Sequence, residues 1–191
     1  AGLAKEQIGV GGMISGEQIG RPLGYANHAG IWGLIWDPKI NSESSRRFIQ
    51  GVIDKMGPLE GAPAFVTWLR ERCQVIILSD TFYQFALPLM RQLGYPTLFC
   101  NQLEIDGGGR IAAHHMRMPN QKKHSVAAFK SLNFFTMAAG DAYNDTAMLG
   151  EADAGFFFRP PDHLPKEFPQ FPVTQTYKEL QERFAKAGNL K

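Results

Sequence analysis

Gly140-Asp141-Ala142-Tyr143-Asn144-Asp145 sets two carboxylates four residues apart, with an amide between them, directly after the apolar run Phe134 to Ala139. Ser79-Asp80-Thr81 follows a second apolar run, Val75-Ile76-Ile77-Leu78, and Lys122 stands nineteen residues before Asp141. Each residue type suits phosphoryl transfer. A phosphate in a dry site needs donors and positive charge on its oxygens, which Ser79 and Lys122 can supply. Carboxylates repel that anion unless they hold Mg²⁺, a hard cation that prefers oxygen ligands. Asp141 and Asp145, across a strand-to-helix turn, can both face one cation or its bound water. Gly140 permits a tight turn, and Asn144 can cap the following helix or aim its amide at the phosphate. Taken singly the signals are weaker: Ser-Asp-Thr is a common helix N-cap, and a lone lysine usually belongs to a solvated helix face. The pair of carboxylates with the amide, at a strand end, is the specific part.

These groups need a frame, and the chain from Arg47 onward supplies one. Phe48, Ile49, Val52, Ile53 and Met56 recur at helical spacing before Gly57-Pro58. Ala62 to Arg72 reads as a helix, Val75 to Leu78 as a strand buried on both faces, and Phe82 to Gln92 as another helix. Thr97 to Ile105 and Arg110 to Met116 read as strands of a hairpin turning at Asp106-Gly107-Gly108-Gly109. Helix over Gln121 to Leu132, strand over Phe134 to Ala139, helix over Asn144 to Glu151, strand over Ala154 to Phe158 and helix over Tyr177 to Lys186 complete the alternation. This order predicts an α/β fold: a doubly wound, Rossmann-type parallel sheet with a β-hairpin insertion. Ligands of such sheets bind beyond the carboxyl ends of the strands, where the polar clusters fall.

Residues 1 to 46 differ. Nine glycines fall within the first 33 positions, and no helical or strand period persists. Gly9-Val10-Gly11-Gly12 lacks both the third glycine of a dinucleotide fingerprint and a following Gly-Lys-Ser/Thr, so it reads as loop. Ala29 to Trp36 is the one strongly apolar stretch, a short buried strand or an exposed patch. The expected division is therefore an atypical segment, 1–46, and a core, 47–191.

Bulk properties bound the rest. The 191 residues are 44% hydrophobic and 20% charged with net charge +2, which argues against a nucleic-acid partner and against disorder. Cys73 and Cys100 have no metal-ligand spacing and suit a reduced, cytoplasmic chain; no apolar run spans a membrane, and no signal peptide is evident. His114 and His115 are adjacent on a strand and so point to opposite faces, a poor metal pair. Oligomeric state is left open.

Leu78-Ser79-Asp80-Thr81-Phe82, Lys122 and Gly140-Asp141-Ala142-Tyr143-Asn144-Asp145 resemble the second, third and fourth motifs of the haloacid-dehalogenase superfamily. Pro58-Leu59-Glu60-Gly61 and Phe168-Pro169-Gln170-Phe171-Pro172 are most similar to the phosphoserine phosphatases, in the ThrH-type branch of bifunctional phosphoserine phosphatase/homoserine phosphotransferases; the resemblance covers residues 49 to 187. It implies a Mg²⁺-dependent enzyme acting on a small phosphorylated amino acid in serine and threonine metabolism. Ser79, Asp80, Lys122 and Asn144 would bind phosphate, with Ser79, Lys122 and Asp145 catalytic. Asp141 and Asp145 would serve the metal, Asp145 by orienting the metal's water or Lys122. In the family an aspartate attacks the phosphate and the aspartyl-phosphate passes to water or an alcohol.

That aspartate belongs to a first motif, Asp-x-Asp or Asp-x-Glu, at the end of the first strand, and no aspartate here has an acidic residue two positions on. The first aspartate of the chain is Asp37, followed by Pro38-Lys39. Residues 1–46 also stand where the family carries its helical cap, which reads the substrate's amino and carboxylate groups. A fragment, a fusion or frame error, and a natural pseudoenzyme each account for this. The expectation is an inactive chain, with a non-catalytic phosphate-binding or regulatory protein as the alternative. A phospho-acceptor domain using Asp80 is a weaker reading, for want of an acidic pair near its first strand.

Overall fold

The structure is a computed structural model describing residues 7–11, 42–55 and 57–191. Its strands are β1 (Gln7–Gly11), β2 (Gln74–Phe82), β3 (Thr97–Ile105), β4 (Ile111–His115), β5 (Phe135–Gly140), β6 (Ala154–Phe158) and β7 (Val173–Thr174). Its helices are α1 (Glu43–Ile53), α2 (Ala62–Arg70), α3 (Tyr83–Gln92), α4 (Gln121–Ser131), α5 (Thr146–Glu151), α6 (Leu164–Glu167) and α7 (Tyr177–Gly188). Among the described residues one sheet runs β4-β3-β2-β1-β5-β6-β7, parallel throughout except for the antiparallel β3–β4 pair.

Alternation within the buried strands explains the double winding. Ile76, Leu78, Ala138 and Phe157 face one way and pack with Val126 of α4 and Met148 and Leu149 of α5. Val75, Met137, Ala139 and Phe156 face the other way, against Phe65 and Leu69 of α2 and Leu180 and Phe184 of α7. Ile77 shares that second face, where it meets Val66 of α2 and Leu89 and Met90 of α3. A strand apolar at every position must be covered on both sides, and here it is. At the far edge the expected hairpin forms: the Asp106 carboxylate accepts hydrogen bonds from Gly108 N at 2.9 Å and Arg110 N at 2.8 Å, and Gly109 takes a φ of 75°.

The α/β parallel sheet is as the sequence predicts, but the start of the chain is not. Gly9 and Gly11, read as loop, lie in β1, which pairs with β2 on one side and β5 on the other. Pairing on both edges satisfies the strand's backbone groups, and this outweighs the entropy glycine loses there. The division at 46/47 accordingly does not follow the sheet, and α1 runs across it. The apolar stretch Ala29 to Trp36 lies outside the described residues. The short elements α6 and β7 were also missed; two to four residues carry too little period to read. No helix among the described residues is long and apolar enough to cross a membrane.

Candidate functional site

Strand β2 leaves its ladder with β3 just where the chemistry begins. Leu78 pairs with Phe99, but the next partner pair is Phe82 with Asn101, so Ser79, Asp80 and Thr81 bulge opposite a single residue. Backbone groups freed in this way need other partners. The Asn101 amide donates to the Asp80 carbonyl at 2.8 Å, the Gln121 amide to the Ser79 carbonyl at 2.8 Å, and Thr81 N to Ser79 Oγ at 3.3 Å. Asn101 is fixed in turn by Arg117 N, which donates to its Oδ1 at 3.0 Å. Arg117 itself donates to Tyr83 OH at 2.9 Å and stacks over Phe99. The bulge is therefore clamped by side chains rather than by the sheet.

The chain enters α4 through Asn120, whose φ of 50° is a left-handed value that asparagine tolerates. This entry turns Gln121 and Lys122 inward, and both are buried. Lys122 Nζ lies 2.8 Å from Asp145 Oδ1 and 3.1 Å from Asp80 Oδ2. Burial alone would lower the Lys122 pKa, but Asp145 and Asp80 outweigh it and hold the ammonium above its ordinary value of 10.5. For Asp80 burial pushes upward, and Lys122, with hydrogen bonds from Gln121 and Asn144, brings the carboxyl below its ordinary 3.8. The lysine's raised pKa makes its stabilisation complete below 10.5 and lost only above that; the aspartate's lowered pKa makes its share complete above 3.8 and lost as acid protonates it. The stability difference between wild type and Asp80→Asn should thus stay constant near neutrality and shrink below pH 3.8, as followed by urea unfolding at several pH values. A difference that changes near neutrality contradicts this assignment.

Asp145 is held from both sides. Its Oδ1 takes Lys122, and its Oδ2 accepts from Asp141 N at 3.0 Å and Ala142 N at 3.1 Å. Gly140 makes room for it, since a Cβ there would sit 2.5 Å from the Asp145 Cβ. Gly140→Ala must displace Asp145, and a loss of about 1–3 kcal/mol in thermal or urea unfolding is expected. Stability equal to wild type would mean that the carboxylate is not fixed by that turn.

The rim thus brings together Ser79 and Asp80 from the end of β2, Lys122 from α4, and Asp141, Asn144 and Asp145 from the turn after β5. Strand β1 lies between β2 and β5, so the two polar ends stand two strand spacings, about 10 Å, apart. Lys122 spans that gap by touching a carboxylate on each side, and Asn144 spans it too, its amide donating to Asp80 Oδ2 at 2.6 Å. Asn101, Gln121 and Arg117 were not singled out from the sequence. Their spacing carries no signal, because each acts through a long-range partner.

The donor set can be weighed against the Mg²⁺ that the family resemblance implies. Asp145, expected to serve the metal, has both oxygens engaged, Oδ1 by Lys122 and Oδ2 by the backbone of Asp141 and Ala142. Among the described residues no group of three or more His, Cys, Asp or Glu is placed to hold a metal, and that includes His114 and His115, the latter 3.3 Å from Glu104. The described residues therefore do not by themselves fit a resident Mg²⁺ site. Mg²⁺ alone is therefore expected to leave the unfolding midpoint unchanged; a saturable rise would show a donor beyond these.

No family model matches the chain. Two curated relatives do. The phosphoserine phosphatase of Pseudomonas syringae pv. tomato is 57% identical over 141 residues, 74% of this chain and 60% of that protein. The phosphoserine phosphatase ThrH of Pseudomonas aeruginosa is 56% identical over 141 residues, 74% of this chain and 69% of that protein. The chain thus spans about 60% of the length of the first of these relatives. Among solved structures, phosphoserine phosphatase from T. onnurineus superposes with a TM-score of 0.67 at 19% identity, covering 98% of this chain and 96% of that one. Sequence identity of this depth over most of the chain and a shared fold place it: the chain belongs to the phosphoserine phosphatase family, ThrH branch.

Proposed function

We propose that this chain carries the phosphate-holding half of a phosphoserine phosphatase site and that, lacking a carboxylate nucleophile, it binds phosphomonoesters without turning them over. The observation that carries this reading is the placement of Lys122 and Asn144, both reaching across the slot of β1. An ammonium and an amide aimed over a strand end are what a phosphoryl group needs for its oxygens. Ser79 Oγ, at the mouth of the bulge, adds a hydroxyl donor. Asp145 keeps Lys122 charged and aimed.

In the family's reaction a carboxylate at the end of the first strand forms the bond to phosphorus as the ester oxygen leaves. Here the central strand ends at Gly11, and Gly12-Met13-Ile14-Ser15 follow it, with no acidic residue between Glu6 and Glu17. Neither phosphoserine hydrolysis nor transfer to an acceptor alcohol such as homoserine has its covalent step in that case. The resemblance covers the core rather than the cap, so the amino-acid part of the substrate is assigned through kinship alone. The test is a phosphate-release assay with phosphoserine and Mg²⁺, run beside thermal unfolding with inorganic phosphate. No release above a Lys122→Ala control, together with a phosphate-dependent rise in the wild-type midpoint, supports the reading. Turnover above that control, or a midpoint indifferent to phosphate, overturns it.

A further inference from the structure

The groups offered to phosphate are not idle. Asp80 Oδ2 accepts from Asn144 Nδ2 at 2.6 Å and pairs with Lys122 Nζ at 3.1 Å, while Asp80 Oδ1 accepts from Gln121 Nε2 at 3.1 Å. A single carboxylate oxygen therefore sits on the two donors that the proposed function gives to the substrate. We propose that the Asp80 carboxylate is an internal anion occupying the phosphate donors of this rim, so that a phosphoryl group binds by displacing it. The inference rests on the phosphate-site reading above and adds a competitor to it.

Three features support displacement rather than coexistence. The first is charge: one ammonium already faces two carboxylates, so a phosphate arriving with Asp80 in place would meet a net negative site. The second is mobility. The Asp80 side chain is 31% exposed and has a way out to water, whereas Asp145 at 3% exposure is locked. The third is that the backbone need not move. Asn101 and Gln121 hold the Asp80 and Ser79 carbonyls, so rotation about the side-chain torsions is enough. Gln121 keeps its bond to Ser79 when Asp80 leaves. The carboxylate also keeps Lys122 paired while the site is empty, which limits the cost of a buried charge.

Calorimetric titration with inorganic phosphate tests this on wild type, Asp80→Asn, Asp80→Ser and Lys122→Ala. Both Asp80 variants are expected to bind phosphate roughly tenfold more tightly than wild type, since a charged hydrogen-bonding competitor has been removed. Lys122→Ala should lose binding. Equal or weaker binding by both Asp80 variants, with Lys122→Ala still defective, overturns the competitor and leaves the phosphate site standing. No binding by any protein, or full binding by Lys122→Ala, overturns the phosphate site and the competitor with it. A crystal structure of the wild type with phosphate needs no variant to fold. Phosphate on Lys122 and Asn144 with Asp80 swung away is expected, and phosphate bound with Asp80 still on both donors contradicts the proposal.

Discussion

Replacing Lys122 with alanine is expected to cost about 3–5 kcal/mol of folding stability, the range found when one partner of a buried ion pair is removed. The magnitude follows from what remains. Asp145 is 2% exposed and would be left with only two backbone N–H donors, while Asp80 would lose its ammonium and keep two amide hydrogen bonds. Lysine's stem also fills space beneath the rim, so alanine leaves a cavity as well as a charge imbalance. Urea unfolding at neutral pH reads the loss directly. A cost below about 1 kcal/mol, the range of a solvated surface pair, would contradict the geometry described here.

Asn101→Ala is expected to cost about 2–3 kcal/mol, although Asn101 lies outside the ring of groups offered to phosphate. Its side chain is 1% exposed, and both ends of the amide are used, one on the Asp80 carbonyl and one on Arg117 N. Truncation strands a donor and an acceptor away from water. It also frees the bulge that aims Ser79, so phosphate binding should weaken along with stability. Asn101→Asp is the informative companion: it keeps the acceptor for Arg117 N but turns the donor facing the Asp80 carbonyl into a second acceptor. If both variants unfold like wild type, the bulge is held by something other than this clamp.

Much of this is legible in the sequence. The apolar runs Val75 to Leu78 and Phe134 to Ala139 announce strands covered on both faces, and the polar residues that close them mark the rim. The motif residues Ser79, Lys122 and Asp141 to Asp145 meet there because the sheet is parallel and its carboxyl ends coincide. What escaped has a physical reason in each case. Gly9-Val10-Gly11-Gly12 reads as loop because glycine is a poor strand former in isolation, yet for Gly9 to Gly11 two neighbouring strands decide the outcome. Asn101 and Gln121 are ordinary polar residues whose work depends on partners 21 and 42 positions away. The hydrogen bonds that engage both oxygens of Asp145 depend on the turn after β5 and on α4, and spacing does not carry them. Occupation of Lys122 and Asn144 by Asp80 had no signature in spacing at all, because it depends on the direction of one bulged side chain.

Phosphorus NMR of phosphoserine mixed with the protein and Mg²⁺ reads binding and chemistry in one sample. The ester resonance should broaden in proportion to protein, should lose that broadening with Lys122→Ala, and should give no growing inorganic phosphate signal. An inorganic phosphate peak that grows with wild-type protein and not with Lys122→Ala would reveal a working nucleophile and contradict the binding-only reading. An ester line that stays sharp would remove the phosphate site itself.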